Sequence, residues 1–394
     1  MPESFDGALL SHYVGRTCAT GAFVLPRRGS RLWSPATVGV VRPTPAHYIA
    51  MTMDEPHTDI PIRAPAATSV DDTVLPFEIA ALDLRGRLVR LGPAVDEILA
   101  RHRYPQPVAK LVGEAVALTV LLGSALKVNG RFILQTQTDG PVGMLVADFR
   151  RPGQVRACAR FDAERVAEAI ESGAAGSGAL LGRGHLAMTI DPGSGMNRYQ
   201  GLVALQGGSL EDAAHEYFHR SEQIPTRVRL AVGEELSSGA GHRWRAGGML
   251  LQFLPKSPER ARVADLDPGD APEGTAAHVM AEDDAWVEGR ALIGTVEDVE
   301  LIDPALSSER LVYRLFHERG VRVFRSVGVT AQCSCSRQRV ATMLRSFSDD
   351  DRGHMVENGA ISVTCEFCNA TYRFVPEEIG LWADDGRDEP EPRS

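Results

Sequence analysis

Residues 332–340 read QCSCSRQRV and residues 363–369 read VTCEFCN, and these two cysteine clusters near the C-terminus decide how the chain is organised. Four of the six cysteines in 394 residues lie in them, and twenty-nine residues separate one cluster's last cysteine from the other's first. Two thiolates on each of two tight turns can complete a tetrahedron around one Zn²⁺, with Zn–S distances of about 2.3 Å. The sequence therefore predicts one metal site, whose ligands are Cys333, Cys335, Cys365 and Cys368.

The spacing of the first pair indicates a redox role in addition to structural metal binding. A single residue separates Cys333 from Cys335, so a disulfide between them would close a very small, strained ring that is easily reduced again. The plainer alternative is a closed structural zinc ribbon, since most four-cysteine sites are structural. A secreted disulfide scaffold fits poorly, because such frameworks belong to small, cysteine-dense domains. Metal binding with reversible redox chemistry is the sharper hypothesis.

Basic side chains near the clusters, or on an upstream helix, are weaker candidates for a role in metal binding or redox chemistry. Arg337 and Arg339 could favour the thiolate form of the first pair, although such arginines more often form the solvated face of a short helix. His354 is interpreted as a surface residue, because four thiolates already complete the tetrahedron. His215 and His219 stand four residues apart on a predicted helix without a metalloprotease motif, so we interpret them as solvated or capping residues.

The composition is that of a soluble globular protein, with 43% hydrophobic residues, 24% charged residues and a formal net charge of −10. This acidic balance argues against a broad surface for nucleic acid or anionic membranes. The most apolar stretch, residues 108–126, still carries Lys110 and Glu114 and predicts a buried helix rather than a membrane span. No phosphate loop, dinucleotide fingerprint or nucleophile elbow occurs, so we expect no nucleotide and no enzymatic active site.

Changes in sequence texture divide the chain into five segments. The first is rich in proline and arginine, and we expect a disordered extension or a start codon placed too early, with Met51 or Met53 as the true first residue. The linker is charged and punctuated by proline, and the tail is acidic and expected to be disordered. The segments are the extension (1–70), an α+β core domain (71–255), a charged linker with helices (256–325), a four-cysteine zinc and redox module (326–381) and the tail (382–394).

The core segment predicts an α+β domain with a mostly antiparallel sheet packed with helices. Its short apolar runs are separated by turn sequences too tightly for parallel crossovers. We expect a strand over 75–84, a turn at Arg85-Gly86-Arg87, a central helix over 107–126 and Cys158 as a small apolar core residue. Further predicted strands span 132–138, 142–149, 154–160, 185–190, 199–206, 227–232 and 243–254, and further helices span 93–100, 162–171 and 210–221.

The linker predicts two helices. The first covers residues 283–295, and the second begins at Asp303-Pro304 and ends at His317. The second has apolar residues along one face, at Leu311, Val312, Leu315 and Phe316. Because neither helix has an apolar partner within its own segment, both must dock elsewhere.

Several stretches together resemble one family, the 33 kDa chaperonin, a redox-regulated heat-shock holdase of the bacterial cytoplasm. The resemblance covers about residues 72–380, and matches in core, linker and cysteine module are far more specific than the cysteines alone. The first seventy residues depart from the family, which normally starts close to the first strand. The matching stretches are YFHRSEQIP (217–225), GGMLLQFLP (247–255), LFHE (315–318), CSCSRQRV (333–340) and VTCEFCNATY (363–372).

The resemblance implies a redox switch at the cysteines. Cys333, Cys335, Cys365 and Cys368 would bind one Zn²⁺ when reduced. Oxidation would form the neighbour disulfides Cys333–Cys335 and Cys365–Cys368 and release the metal, a pairing that rests on the family and on proximity. Losing zinc would unfold the module, and the linker helices would then lose their docking partner and expose apolar surface.

The implied activity is that of an ATP-independent holdase. Its partners would be unfolded or oxidatively damaged client proteins, held without nucleotide under oxidative and heat stress. The resemblance also implies a homodimer in the active state and a cytoplasmic location, with no nucleic acid or membrane as partner.

Two functions of other classes remain open. A zinc ribbon that binds nucleic acid or a protein partner is disfavoured by the acidic charge and by the lack of an aromatic and basic face. A thiol–disulfide oxidoreductase using Cys365 and Cys368 lacks the βαβ surroundings of a thioredoxin-like site. Salt-dependent nucleic-acid affinity would support the first alternative, and turnover of a model disulfide the second.

Overall fold

A computed structural model of the chain describes residues 71–127, 129–193, 197–237, 241–255 and 282–380. These residues fall into two compact units, one ending at Gln332 and the other beginning at Cys333. The expected N-terminal extension, the first part of the linker and the acidic tail lie outside the described residues.

The larger unit contains two sheets and the helices packed on them. Its strands are β1 (Thr73–Ile79), β2 (Leu84–Leu91), β3 (Arg131–Thr138), β4 (Met144–Arg150), β5 (Gln154–Arg160), β6 (Arg183–Asp191), β7 (Tyr199–Gln206), β8 (Thr226–Ser237), β9 (Gly241–Phe253), β10 (Arg322–Val323), β11 (Val327–Gly328) and β12 (Thr330–Ala331). Its helices are α1 (Pro93–Ala100), α2 (Gln106–Gly123), α3 (Ala163–Glu171), α4 (Ser177–Leu181), α5 (Leu210–Tyr217), α6 (Asp284–Gly294), α7 (Asp298–Ile302) and α8 (Ser308–Phe316).

Strand pairing confirms the predicted α+β class. The first sheet has the order β10-β1-β2-β9-β8, with β11 also pairing with β1, and the second has the order β12-β5-β4-β3-β6-β7. Each of these pairs is antiparallel except β12 with β5. The expected antiparallel meander is β3-β4-β5, and Cys158 lies buried in β5 as predicted, with 3% of its surface exposed.

Helix α2 is the central core helix that the apolar run predicts. Its side chains pack in one cluster with residues from the facing sides of both sheets. By length and composition alone these 18 residues could cross a membrane, but 78% of the helix is buried inside the protein. Its burial therefore agrees with the prediction of a core helix.

The first hairpin differs from the prediction of a strand over 75–84 and a turn at Arg85-Gly86-Arg87. The turn comes earlier, over residues 80–83, where Asp83 adopts a left-handed backbone with φ of +51°. Gly86 lies inside β2, and a Cβ atom there would approach Phe77 Cζ to 2.1 Å. This glycine makes room for an aromatic ring rather than for a turn, a distinction that turn propensity alone misses.

The linker helices dock on the outer face of the first sheet. Helices α6 and α8 bury Trp286, Ile293 and Phe316 in a second apolar cluster with side chains of β1, β2 and β9. The rings of Phe77 and Phe316 are 5.8 Å apart. The prediction that both helices dock outside their own segment is thus confirmed. The first sheet is therefore their apolar docking surface.

The second linker helix begins later than predicted. Instead of running from Asp303-Pro304 to His317, the chain forms the short helix α7 and then α8, which starts after Ser307. The Ser307 hydroxyl caps α8 by accepting a bond from the Arg310 N–H at 3.3 Å. The Asp303 carboxylate instead accepts from the Ala305 N–H at 2.8 Å, which closes a local turn.

The smaller unit is a compact module with a modest core. It contains α9 (Arg337–Arg345), α10 (Asp349–His354), β13 (Ile361–Thr364) and β14 (Thr371–Phe374), with β13 and β14 forming an antiparallel hairpin. Its apolar cluster contains Val340, Ala341, Leu344, Met355, Ile361, Val363, Phe374 and Ile379, and Ala360 and Phe367 are buried besides. So small a core gives limited stability, and a metal site would add to it.

Candidate metal centre

The second cysteine cluster forms the tight turn that joins β13 to β14. The Cys365 N–H donates to Ala370 O at 2.9 Å, and the Asn369 N–H donates to Cys365 O at 2.8 Å. Asn369 has φ of +57°, a left-handed conformation that asparagine tolerates. Backbone N–H groups of Phe367 and Cys368 point at the Cys365 sulfur. The turn therefore supplies backbone donors that favour the thiolate form of Cys365.

The first cluster precedes helix α9. The Ser336 hydroxyl caps this helix by accepting from the Arg339 N–H at 3.3 Å. The Arg339 guanidinium donates back to Ser334 O, between the two cysteines. These bonds place the loop at Cys333 and Cys335 against the start of a helix.

Folding brings the four predicted sulfurs together. All four Sγ atoms lie within 4.8 Å of one another. Cys333 Sγ is 3.7 Å from Cys365 Sγ, and Cys335 Sγ is 3.2 Å from Cys368 Sγ. A tetrahedron with Zn–S arms of about 2.3 Å has sulfur–sulfur edges of about 3.8 Å. The donor set and its spacing therefore fit one thiophilic metal ion.

Both measured contacts join one cluster to the other. The pairing Cys333–Cys335 and Cys365–Cys368 therefore draws no support from these two distances and stays a prediction from the family resemblance. A bound metal would place each sulfur near every other, so any pair could meet after its loss.

The two thiols of the second cluster resist ionisation. The neighbouring Cys333 thiol, and then burial, raise the pKa of Cys365. Burial, together with the Cys335 thiol, raises the pKa of Cys368 to about 11. A divalent cation among the sulfurs would offset the negative charge of the thiolates and so favour the thiolate forms. The electrostatics of the cluster thus suit a cation better than a lone reactive thiolate.

Tyr372 is the site residue that pattern reasoning did not identify. Its hydroxyl donates to Cys335 Sγ at 3.2 Å from strand β14, and this bond raises the pKa of Tyr372. Second-layer donors of this kind orient metal ligands. The tyrosine follows Cys368 in the matching stretch VTCEFCNATY, but neither apolar periodicity nor cysteine spacing predicts that its side chain turns toward the sulfurs.

The other candidates near the clusters have structural roles. Arg337 pairs with Glu378 at 2.7 Å and lies over the Phe374 ring at 4.4 Å, so it braces the module rather than a thiolate. Arg339 binds the backbone of the first cluster, as described above. His354 is exposed and contacts the Asp350 carbonyl, in agreement with its interpretation as a surface residue.

His215 lies on α5 and His219 lies beyond its end, and among the described residues the two form no metal site. His215 Nε2 accepts a hydrogen bond from the Val228 N–H at 2.9 Å and so ties the helix to β8. Burial lowers the pKa of His215, consistent with a neutral imidazole that accepts this bond. The expected solvated or capping role is wrong for His215, because its ring is half-buried against a strand. His219 is exposed.

Comparison with known proteins connects this architecture to relatives. The family described as "Hsp33 protein" matches residues 72–375. The 33 kDa chaperonin of Caulobacter vibrioides strain NA1000 / CB15N is 45% identical over 322 residues, covering 81% of this chain and 99% of the relative. The 33 kDa chaperonin of Pseudomonas syringae pv. syringae strain B728a is 37% identical over 311 residues, covering 78% and 92%.

A solved structure has the same fold. The crystal structure of the 33 kDa chaperonin from Thermotoga maritima matches with a TM-score of 0.60 and 20% identity, covering 78% of this chain and 96% of the other. At that identity the likeness speaks for the fold alone.

The fold and the site define a chaperone class in which a four-cysteine module follows an antiparallel α+β domain. The chain belongs to the Hsp33 family, because the family match spans most of its length and the relatives match over nearly their whole length. As a member of this chaperone family it is expected to bind unfolded proteins, and its four clustered cysteines are a candidate metal site.

Proposed function

We propose that the protein is a redox-regulated, ATP-independent holdase whose cysteine module is locked by Zn²⁺ in the reduced state. The observation that carries the proposal is the convergence of four sulfurs within 4.8 Å in a module with a small apolar core. Zinc at Cys333, Cys335, Cys365 and Cys368 would link the loop before α9 to the β13–β14 turn and supply folding free energy.

Oxidation removes the ligands. Each disulfide forms when two thiols lose two electrons and two protons, and one equivalent of a two-electron oxidant such as hydrogen peroxide takes them up and yields water. Two disulfides, Cys333–Cys335 and Cys365–Cys368, would consume all four ligands, and disulfide sulfur no longer holds Zn²⁺. The module then loses its cross-link and unfolds.

The linker helices supply the surface that this unfolding uncovers. Helices α6 and α8 cover an apolar face built from side chains such as Phe77, Leu88 and Met249. A 3-10 turn at His317–Arg319 and the short strands β10, β11 and β12 lie between these helices and the module along the chain. Unfolding of the module would weaken these strands and then the helices, and the bare face would hold clients stoichiometrically, without turnover.

Location and assembly follow from the same proposal. A switch that keeps its thiols reduced between stresses suits a reducing compartment such as the cytoplasm. We also propose a homodimer in the active state and no requirement for nucleotide, nucleic acid or membrane.

The test follows zinc and client together. The reduced full-length protein is treated with peroxide at elevated temperature, zinc release is measured with a chromogenic chelator, and aggregation of a heat-denatured client is followed by light scattering. We expect about one zinc per chain to leave as suppression of aggregation appears. Zinc release without any gain of anti-aggregation activity would contradict the proposal.

A further inference from the structure

The segment that covers one end of the first sheet is acidic and apolar at once. Residues 295–303 read TVEDVELID and contain no basic residue. Within them Val296 and Leu301 are buried in the apolar cluster on the sheet. The acidic residues of the segment are Glu297, Asp298, Glu300 and Asp303.

The sheet face beneath this segment has the opposite charge. Strand register puts one carboxylate on that face of β2, β8 and β9, that of Glu235. The arginines on the same face are Arg90 of β2, Arg227 and Arg229 of β8, and Arg243 and Arg245 of β9. Apolar side chains such as Met249 and Leu251 lie between them. The face is therefore apolar at its centre and rimmed by guanidinium groups, of which Arg245 pairs with Asp71 and Glu235 and Arg229 lies 3.9 Å from Glu211.

Close contact joins the two complementary surfaces. Arg229 donates to the Asp298 carboxylate at 2.8 Å. Leu301 lies so near β9 that a Cβ on Gly247 would approach its carbonyl oxygen to 2.2 Å. The acidic segment is thus seated directly on the arginine-rimmed face.

Two buried arginines also bind the C-terminal end of α7. Arg90 is 1% exposed and donates to Asp303 O at 2.6 Å and to Glu300 O. Arg245 Nε donates to Ile302 O at 2.6 Å. Helix carbonyls at this end lack partners within the helix and carry partial negative charge. Release of α7 would remove both of these carbonyl acceptors from the buried Arg90 guanidinium.

We propose that this face, once uncovered, selects client segments that combine apolar side chains with acidic ones, and that residues 295–303 occupy it as a built-in imitation of such a client. The inference rests on the proposed function, because the face must first be released. A basic segment would bring like charge against a partly desolvated cluster of arginines and is disfavoured. An acidic and apolar segment replaces the contacts that α7 makes.

Labelled peptides test this selectivity on the oxidised full-length protein. The first has the sequence of residues 295–305, TVEDVELIDPA, the second has lysine at its four acidic positions, and the third is a scramble of the first. Fluorescence anisotropy should show the first and the scramble binding about tenfold or more tightly than the lysine peptide, with the advantage shrinking at high salt. Equal affinities, tighter binding of the lysine peptide, no binding of any peptide, or a scramble as weak as the lysine peptide would overturn the proposal.

A matched pair of variants locates the selectivity. Arg229→Gln removes the arginine that pairs with Asp298, and Arg198→Gln removes an arginine just before β7 that pairs with Asp191 and has a side chain 64% exposed. The first should reduce the preference for the acidic peptide several-fold, and the second should leave it unchanged; equal effects would overturn the assignment to this face. Suppression of client aggregation, measured on the same oxidised samples, reports separately on the proposed function. Full suppression without peptide preference would reject the selectivity alone.

Discussion

At the scale of single residues, the sequence predicts that the four cysteines converge, but it does not predict which groups orient them. Two close cysteine pairs predict one tetrahedral site, and the fold brings all four sulfurs within 4.8 Å. The Tyr372 hydroxyl contacts Cys335 because the β13–β14 register turns that side chain toward the loop before α9. The sequence likewise does not predict the contact of His215, because its strand partner Val228 is 13 positions away. Contacts set by tertiary packing leave no local pattern.

Tyr372 gives the first prediction. Tyr372→Phe removes the hydrogen bond to the Cys335 sulfur and keeps the ring, so zinc should remain bound but with roughly tenfold lower affinity, as for other second-layer partners. Competition with a chelator of known affinity measures the change in reduced protein. Tyr313→Phe, on the exposed face of α8, is the control and should match wild type. Unchanged zinc affinity in Tyr372→Phe would show that the hydroxyl has no role in orienting the ligand.

Glu114 gives a prediction about pH. Burial raises the pKa of this carboxyl on α2 to about 7, while its Ser177 hydrogen bond opposes the shift. The unfolded chain ionises Glu114 near pH 4.5, and the folded chain does so only near 7. The side chain therefore favours folding below pH 4.5, and this contribution is lost as the pH rises from 4.5 to about 7.

Glu114→Gln should remove that dependence. We expect it to increase the free energy of unfolding at pH 8 by about 1–3 kcal/mol and to change it little at pH 4.5. Urea unfolding at the two pH values measures this, with Glu168→Gln on the exposed side of α3 as the control. An equal effect of Glu114→Gln at both pH values would contradict the assigned pKa.

At the scale of elements, sequence periodicity located the helices and strands better than their ends. Helix α2 and the β3-β4-β5 meander follow from apolar pattern and turn residues. The first hairpin and the start of α8 do not, because Gly86 serves the packing of Phe77 and Ser307 caps better than Asp303. Apolar spacing did predict that the linker helices dock elsewhere, but not on which surface.

Docking of α6 gives the third prediction. A Cβ at Gly289 would approach Leu84 Cδ1 to 2.4 Å, whereas at Gly294 of the same helix it would meet nothing within 4 Å. Both substitutions by alanine raise helix propensity by about 1 kcal/mol, but only Gly289→Ala should push α6 off the sheet. Reduced, zinc-loaded Gly289→Ala should therefore suppress client aggregation without oxidant.

Gly294→Ala is the matched control for this experiment and should stay inactive until oxidised. Light scattering with a heat-denatured client compares the two variants under reducing conditions. If reduced Gly289→Ala were as inactive as Gly294→Ala, docking of α6 on the sheet would not be what keeps the client surface covered.

At the scale of the whole molecule, the two units differ in what stabilises them. The larger unit has an extensive apolar core around α2, whereas the apolar cluster of the module has only 8 buried residues beside the sulfurs. Removing zinc from reduced protein with a strong chelator should therefore unfold the module and leave the larger unit folded. Limited proteolysis should cut within residues 333–380 and spare the core; no new cleavage there would show that the module folds without metal.

The central claim is that departure of the metal releases the helices that cover the first sheet. Hydrogen–deuterium exchange of residues 284–316 tests it most directly, measured in reduced zinc-loaded protein, in oxidised protein, and after re-reduction with zinc. The account predicts slow exchange in the first state, fast exchange in the second and recovered protection in the third. Equally slow exchange of α6, α7 and α8 in oxidised protein that has lost its zinc would contradict it.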